Sequence, residues 1–527
     1  MGKILVLDNL SEEGVAVFRQ EGFETDVKPA QKPDELAAII GEYEGLVVRS
    51  GTKVTAEALA KADQLRVIGR AGVGTDNIDK AAATERGIVV MNTPGGNTIS
   101  TCEHTFALML ALCRNVPSAH VSMMEGRWDR KKFMGAELCG KTLGVIGVGR
   151  IGGAVAKRAL AFEMKVLAFD PLLTPLKADA LGVELVSLED ILARSDFISI
   201  HAPKSDKTNN MIRMEQLKQM KPECRIVNCA RGGIVNEQDL AQALKDGVIA
   251  GAGLDVYTSE PLEDNPFIGL TNIVTTPHLA ASTDEAQTTV AVEVAQQMAN
   301  YLKTGEIVNA VNVPSLDKQT RETLAPMLYL ADRLGHFLSL WSEGKPSEID
   351  IDYFGELPVT DVYPITASVL TGFLRPLVDS PNMISAPSQL ESRGIDVSET
   401  RSGQDSDYAF EIAVTLRSEK EEHTVHGTLF QDDDPRIIAI DGTRVDARPV
   451  GHMLVCSNED KPMVLANIAS IIGDSGVNIA NLTLGRDKPG GSAFTVLNLD
   501  AAVAPEILER IAAAEHVTSA RLVSLPS

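Results

Sequence analysis

"GVIGVGRIGGAVAKRALAFEMKVLAFD", Gly144 to Asp170, decides how the rest of the chain is read. It opens as a β-rich run and turns through Gly147, Gly149 and Gly152 in the pattern G-x-G-x-x-G. It then takes helical spacing and closes on a second β-rich run ending at Asp170. Each glycine has a mechanical reason. The first permits a tight turn, the second lets a pyrophosphate approach the backbone, and the third lets helix and strand pack closely, while the helix N-terminus faces the phosphates. Asp170 stands eighteen residues past Gly152. A carboxylate there accepts hydrogen bonds from an adenosine ribose and repels a 2′-phosphate, so NAD is expected rather than NADP.

Working outward, residues 1 to about 310 alternate β-rich runs with helical stretches. "KILVLDN", "GLVVRS", "LRVIGRAG" and "GIVVMNTPG" read as strands, with "PDELAAIIGEY" and "TAEALAKA" as helices between them, the pattern of parallel α/β units. "TISTCEHTFALMLALCRNV" reads as a long helix stopped by Pro117, after which the glycine-loop block begins. Two α/β blocks joined by a helix predict a two-lobed catalytic half with a cleft. After Pro314 the runs "EIDIDYFGE", "DYAFEIAVTLR", "EEHTVHGTLF" and "DPRIIAIDG" predict an α+β unit, with "SETRSGQDSD" and "RSEKEEH" as solvated turns. From about residue 450 the order is βαββαβ, a ferredoxin-like arrangement. The expected division is therefore 1–97 with 282–314, 98–281, 315–449 and 450–527.

Bulk properties bound the function. A chain of 527 residues is too long for one core. A net charge of −23 repels nucleic acid and anionic membranes, yet a few arginines in a cleft can still hold a small anion. No run of about twenty apolar residues offers a membrane span. "MGKILVLDN" runs straight into a strand pattern without the order of a secretory leader. The six cysteines lack metal-type pairing, so no metal site is expected, and a cytoplasmic location is.

Three motifs follow the glycine loop at successive strand ends. "RIVNCARGGIV" delivers Arg231, "GLDVYTSEPL" delivers Glu260 and "NIVTTPHLAAST" delivers His278. Hydride removal from an alcohol carbon needs a base for the hydroxyl proton, and histidine titrates near working pH. A carboxylate beside the ring orients it and favours its protonated form. An arginine clamps a substrate carboxylate. In the first block, Arg49 and Ser50 close one strand in a position to hold a phosphate. The backbone N–H groups of "AGVG", Ala71 to Gly74, form a candidate anion nest.

In order and spacing, "GVIGVGRIG", "NCARGGIV", "LDVYTSEPL" and "TPHLAAST" resemble the D-isomer-specific 2-hydroxyacid dehydrogenases. "VRS", "GRAGVGTDNID", "NTPGGNTISTCEHTFALML" and "GRWDRKKFMGAEL" narrow the resemblance to the long phosphoglycerate dehydrogenase branch. The resemblance implies NAD-dependent oxidation of D-3-phosphoglycerate to 3-phosphohydroxypyruvate, the entry step of L-serine synthesis. His278 would be the acid/base, Glu260 its partner and Arg231 the clamp. It implies NAD contacts at Arg150, Ile151, Asp170, Cys229, Ala230, Arg231, Asp255, His278 and Ala280, and substrate contacts at Arg49, Ser50, Gly72, Val73 and Asn97. Arg130 and Lys132 would add charge across a subunit boundary in a homo-oligomer, at least a dimer and by expectation a tetramer, with Trp128 packing into the neighbour. "HLAAST" has alanine where many relatives have glycine.

Residues 315–449 resemble the branch's intervening domain, read either as a spacer or as an effector-binding unit. The C-terminal unit resembles an ACT domain through "CSNEDKPMVLANIASIIGDSGVNIANLTLGR". Asp460 and Asn478 are its candidate contacts to an amino-acid effector, L-serine by resemblance. Two departures bear on that: Met463 stands where relatives often have glycine, and Asn458 replaces an aromatic. Serine control and an ACT unit kept for assembly both remain open from sequence. An unphosphorylated 2-hydroxyacid substrate and a dinucleotide sensor are the competing functions. The basic residues argue against the first, and the ACT-like unit argues against the second.

Overall fold

The computed structural model describes the chain apart from Met1, Thr360, Asp379, Ser380, residues 403–405, Asp432, Ser527 and the side chain of Lys318. The first sheet is parallel, with strands Lys3–Val6, Glu24–Val27, Gly45–Val48, Val67–Arg70 and Val89–Asn92 in the spatial order second, first, third, fourth, fifth. Central strands such as Gly45–Val48 are buried throughout, the reason they read as unbroken apolar runs. Glu24–Val27, "ETDV", was not expected. It is an edge strand whose side chains face solvent and charge, with Lys3 Nζ 3.0 Å from Asp26 Oδ2, so it carries no apolar signal.

The second sheet has seven parallel strands. Thr142–Ile146 lies between Lys165–Phe169 on one side and Phe197–Ile200 on the other, so strand order reverses there. Arg225–Asn228, Gly251–Leu254 and Ile273–Thr275 continue the second side as adjacent neighbours. The crevice at such a reversal is where open α/β sheets bind ligands.

The connecting helix differs from expectation. Thr98–Cys113 ends before Pro117, Asn115 turns the chain at φ 54°, and Pro117 sits in the first turn of a second helix, Val116–Met124. Proline is well placed there because first-turn N–H groups have no intrahelical acceptor. Helix Asp284–Thr304 returns to the first lobe and buries Val290, Ala291, Val294 and Met298 in that lobe's core.

The third sheet is mixed. Asp396–Arg401 runs parallel to Pro346–Gly355, which continues antiparallel through Phe410–Ser418, Glu422–Phe430, Asp434–Ile440 and Thr443–Ala447. The expected turn "SETRSGQDSD" is thus partly strand: Ser398 to Arg401 pair with Asp350 to Tyr353, and residues 403–405 lie outside the described residues. Every residue of that strand is exposed, so polarity mimicked a loop. "RSEKEEH" is also shorter as a turn, since Arg417 and Ser418 close one strand and Glu422 and His423 open the next.

The last sheet is antiparallel, ordered Ile479–Arg486, Ser492–Leu499, His452–Glu459, Val517–Ser524, with helices Val464–Asp474 and Pro505–Ala512. It shares a core with the third unit: Trp341 of helix Lys318–Trp341 meets the Phe494 ring edge-on at 6.0 Å.

Candidate active site

The three expected catalytic residues follow three adjacent strands of the second sheet: Arg231 after Arg225–Asn228, Glu260 after Gly251–Leu254 and His278 after Ile273–Thr275. His278 Nδ1 lies 2.7 Å from Glu260 Oε2, and the Tyr257 N–H donates to Glu260 Oε1 at 3.0 Å. The bond to Glu260 outweighs partial burial and raises the His278 pKa above its ordinary value. Partial burial pulls Glu260 upward, but the bonds from His278 and the Tyr257 N–H prevail and hold it below the usual carboxylate range.

His278 has φ 55°, in the left-handed region. Asp255, fully buried, straps it there. The Asp255 carbonyl accepts from the His278 N–H at 2.9 Å, and its carboxylate accepts from the N–H groups of Leu279 (2.7 Å) and Ala280 (2.9 Å) and from the Thr276 hydroxyl (2.6 Å). His104 Nε2 adds a contact at 3.2 Å. Burial raises the Asp255 pKa, yet these donors overcome it and keep the carboxylate ionised. His104 was missed by sequence reading, because a lone histidine on an apolar helix carries no spacing signal.

Arg231 reaches across to the first lobe. Its Nε lies 3.1 Å from Asp76 Oδ2, and a Cβ at Gly74 would sit 2.1 Å from its Nη2. On that side, Asp8 Oδ2 accepts from the N–H groups of Arg49 (2.8 Å) and Thr52 (3.0 Å), while Asn77 Nδ2 donates to the carbonyls of both at 2.7 Å. These bonds shape the Arg49–Ser50 loop. Neither Asp8 nor Asn77 was singled out from sequence, although Asp8 closes the first strand motif. Arg70 joins the group: burial and the charges of Arg231 and Arg49 push its pKa down to about 10. The charges of Arg49, Arg70 and Arg231 are thus close enough to act on one another, an arrangement that favours an anion nearby.

The candidate nest is narrower than expected. The Ala71 N–H bonds Val48 and the Gly72 N–H bonds the Thr93 hydroxyl at 2.8 Å. Val73 and Gly74 are left with N–H groups that carry no bond among the described residues. Asn97 caps helix Thr98–Cys113 without a side-chain cap bond, and its buried Oδ1 has no donor. An orphaned buried acceptor beside a positive cleft fits a hydroxyl-bearing ligand.

The glycine loop fits a dinucleotide. Gly147 has φ +88°, a Cβ at Gly152 would meet the Gly147 carbonyl oxygen at 1.9 Å, and Gly149 opens onto free space. Arg150 and Ile151 begin the helix whose first N–H groups face that space. Asp170 takes the Val148 N–H at 2.7 Å and the Leu172 N–H at 2.8 Å, which fixes its carboxylate beside the loop. Cys229 and Ala280 are buried beneath the crevice, and burial pushes the Cys229 thiol up to about 12. The Ala230 N–H bonds Asn228 Oδ1 at 3.0 Å.

The effector candidates do not meet within one chain. Asp460 pairs with Arg486 Nη1 at 2.8 Å and the Gly490 N–H at 3.0 Å, at one end of the last sheet. Asn478 bonds Asp500 Oδ2 at 2.8 Å, at the other end of the eight-residue strand Ile479–Arg486. Met463 sits at φ 72° and is 66% exposed, while Asn458 is buried and bonded to Thr495. Trp128 is 80% exposed, and Arg130 and Lys132 also face solvent, with Lys132 paired to Asp129.

Comparison with known proteins agrees with this geometry. Residues 106–280 match the D-isomer specific 2-hydroxyacid dehydrogenase NAD binding domain, 323–441 the D-3-phosphoglycerate dehydrogenase intervening domain, and 452–516 the ACT domain. A D-3-phosphoglycerate dehydrogenase of Archaeoglobus fulgidus is 42% identical over 99% of this chain and 100% of its own length. One of Bacillus subtilis is 37% identical over the whole of both chains. Among solved structures, the NAD complex of a formate dehydrogenase from Staphylococcus aureus superposes with a TM-score of 0.53 at 29% identity, covering 59% of this chain and 99% of that one. The chain belongs to the D-3-phosphoglycerate dehydrogenase family of D-isomer-specific 2-hydroxyacid dehydrogenases, with an NAD-binding domain at its centre.

Proposed function

We propose that the cleft oxidises D-3-phosphoglycerate to 3-phosphohydroxypyruvate, the entry step of L-serine synthesis, with His278 as the base. The observation that carries this reading is the His278–Glu260 pair, 2.7 Å apart, on the sheet that also presents Arg231 to a cluster of basic residues on the other lobe. Arg231 and the N–H groups of Val73 and Gly74 clamp the substrate carboxylate. Arg49 and Ser50 hold the phosphate, and Asn97 offers its free oxygen to a hydroxyl. The glycine loop, Arg150, Ile151 and Asp170 hold NAD, which when bound takes the hydride from carbon 2. His278 Nε2 removes the hydroxyl proton, and Glu260 stabilises the imidazolium that results. Because Asp255 fixes the loop backbone, the ring is oriented before substrate arrives.

Two surfaces support assembly. Trp128 and Met134, 80% and 85% exposed, are large apolar side chains suited to contact with a second copy. The edge strand Ile479–Arg486 exposes Leu482 and Leu484 beside unpaired backbone groups. Across such an edge, Asp460 of one copy and Asn478 of another can share an amino-acid effector, L-serine in our reading. The six cysteines are free thiols, which supports a reducing, cytoplasmic setting. NADH formation with D-3-phosphoglycerate, D-glycerate and D-lactate tests the substrate: preference for the phosphorylated acid is expected, and equal use of D-glycerate would refute it.

A further inference from the structure

Helix Lys318–Trp341 buries a charge that the dehydrogenase chemistry does not use. Arg333 is 4% exposed, and its Nε and Nη1 are buried without an acceptor among the described residues. The neighbouring carboxylate on the helix, Asp332, is taken by Arg375 Nε at 2.8 Å. The guanidinium stacks on the Tyr329 ring, 4.5 Å from its centroid. A cation–π contact offsets only part of what an unpaired buried cation costs. The described residues therefore compensate the Arg333 charge only in part.

Arg333 lines a cavity of about 570 Å³, within the range of small-molecule sites. Its walls come from both halves of the molecule. Tyr301 and Gly305 end the helix Asp284–Thr304, and Ile384 packs into the core of the first lobe. Leu328, Tyr329 and Tyr363 form the opposite, largely apolar wall. A bare inorganic ion would leave most of this space empty and these rings unused. We propose that the junction cavity binds a small amphipathic carboxylate, its anionic end paired with Arg333 and its apolar body against Leu328, Tyr329 and Tyr363.

An occupant would join the intervening unit to the catalytic half at the far end of a helix that begins six residues past His278. It stabilises the folded chain by mass action. The site is separate from the arginine cleft and stands whether or not the substrate is phosphorylated.

The test is calorimetric titration of the full-length protein with 3-phenylpropanoate, its neutral amide and inorganic phosphate, repeated on Arg333→Met and Ala325→Phe. Ala325 lines the cavity from an exposed position, so a phenyl ring there fills the space without disturbing the core. One 3-phenylpropanoate per chain is expected, weakened about tenfold or more by Arg333→Met, as for a lost charge-assisted hydrogen bond, and abolished by Ala325→Phe. The amide should not bind, and NADH formation should be unchanged in Ala325→Phe. No binding to the wild type, equal binding to all three proteins, or phosphate binding through Arg333 as tightly as the carboxylate would each overturn the proposal.

Discussion

The crevice of the second sheet and the C-terminal sheet were both reached from short motifs, yet they behave differently in three dimensions. In the crevice, His278 and Glu260 meet at 2.7 Å and Arg231 reaches the opposite lobe, all from one chain. In the C-terminal sheet, Asp460 and Asn478 stand at opposite ends of an eight-residue strand, each already bonded to a neighbour. Residues that follow successive parallel strands end on the same edge by construction. Residues at the two ends of an antiparallel strand can meet only when a second copy brings its own strand alongside. A motif therefore gathers its residues within one chain in the first case and leaves them apart in the second, as the proposed shared effector site requires.

The largest effect expected falls on the self-contained side of this contrast. His278→Ala should leave NADH binding, followed by fluorescence, intact while lowering turnover by about 100-fold or more, the usual worth of a general base. Turnover near normal in a folded variant would remove His278 from the chemistry. Arg49→Met should lower kcat/KM for D-3-phosphoglycerate by about 10- to 100-fold, as for a lost charge-assisted bond, and leave D-glycerate almost unaffected. An equal loss on both acids would place Arg49 outside the phosphate site.

Glu260→Gln sharpens the account of the pair. The bond to Glu260 raises the His278 pKa, so the neutral base is available only at higher pH. The oxidation profile should rise through an inflection above the ordinary histidine value, and the variant should move that inflection to lower pH while costing about tenfold in rate. The same shifts set the stability. His278 contributes fully below its unfolded value and loses this as pH rises through the raised folded value. Glu260 contributes above its unfolded value and loses this as pH falls through the lowered one. An unmoved inflection would mean that another group titrates.

On the shared side, Asp460→Asn and Asn478→Ala should each weaken serine binding, read by calorimetry. A hybrid of the two variants should recover one intact site per pair of copies. Recovery to no extent would place both residues in one chain's site or in none. The smallest effect is Met463→Gly. Met463 holds φ 72°, a conformation costly for a side chain and free for glycine, so melting should report a gain of about 1 kcal/mol.

Legibility followed the kind of signal each part carries. Buried parallel strands such as Gly45–Val48, and the glycines whose added Cβ would collide, announce themselves because one residue type alone satisfies the geometry. Edge strands do not. Glu24–Val27 and Asp396–Arg401 are polar because solvent covers them, and their partners are chosen by tertiary pairing. The site divides in the same way. Arg231, Glu260 and His278, the residues proposed for catalysis, stand in motifs whose chemistry has few alternatives. Asp8, Asn77 and His104 shape the site through bonds to residues distant in sequence, which leave no spacing pattern. Pro117 shows a local rule applied to the wrong element: it opens a helix rather than ending one.

The most direct test of the central claim is the rate of NADH formation from D-3-phosphoglycerate as a function of pH, for the wild type and Glu260→Gln side by side. An inflection above the ordinary histidine value is expected in the wild type, with a shift to lower pH in the variant. An inflection at the same pH in both proteins would contradict the assignment of His278, held by Glu260, as the base.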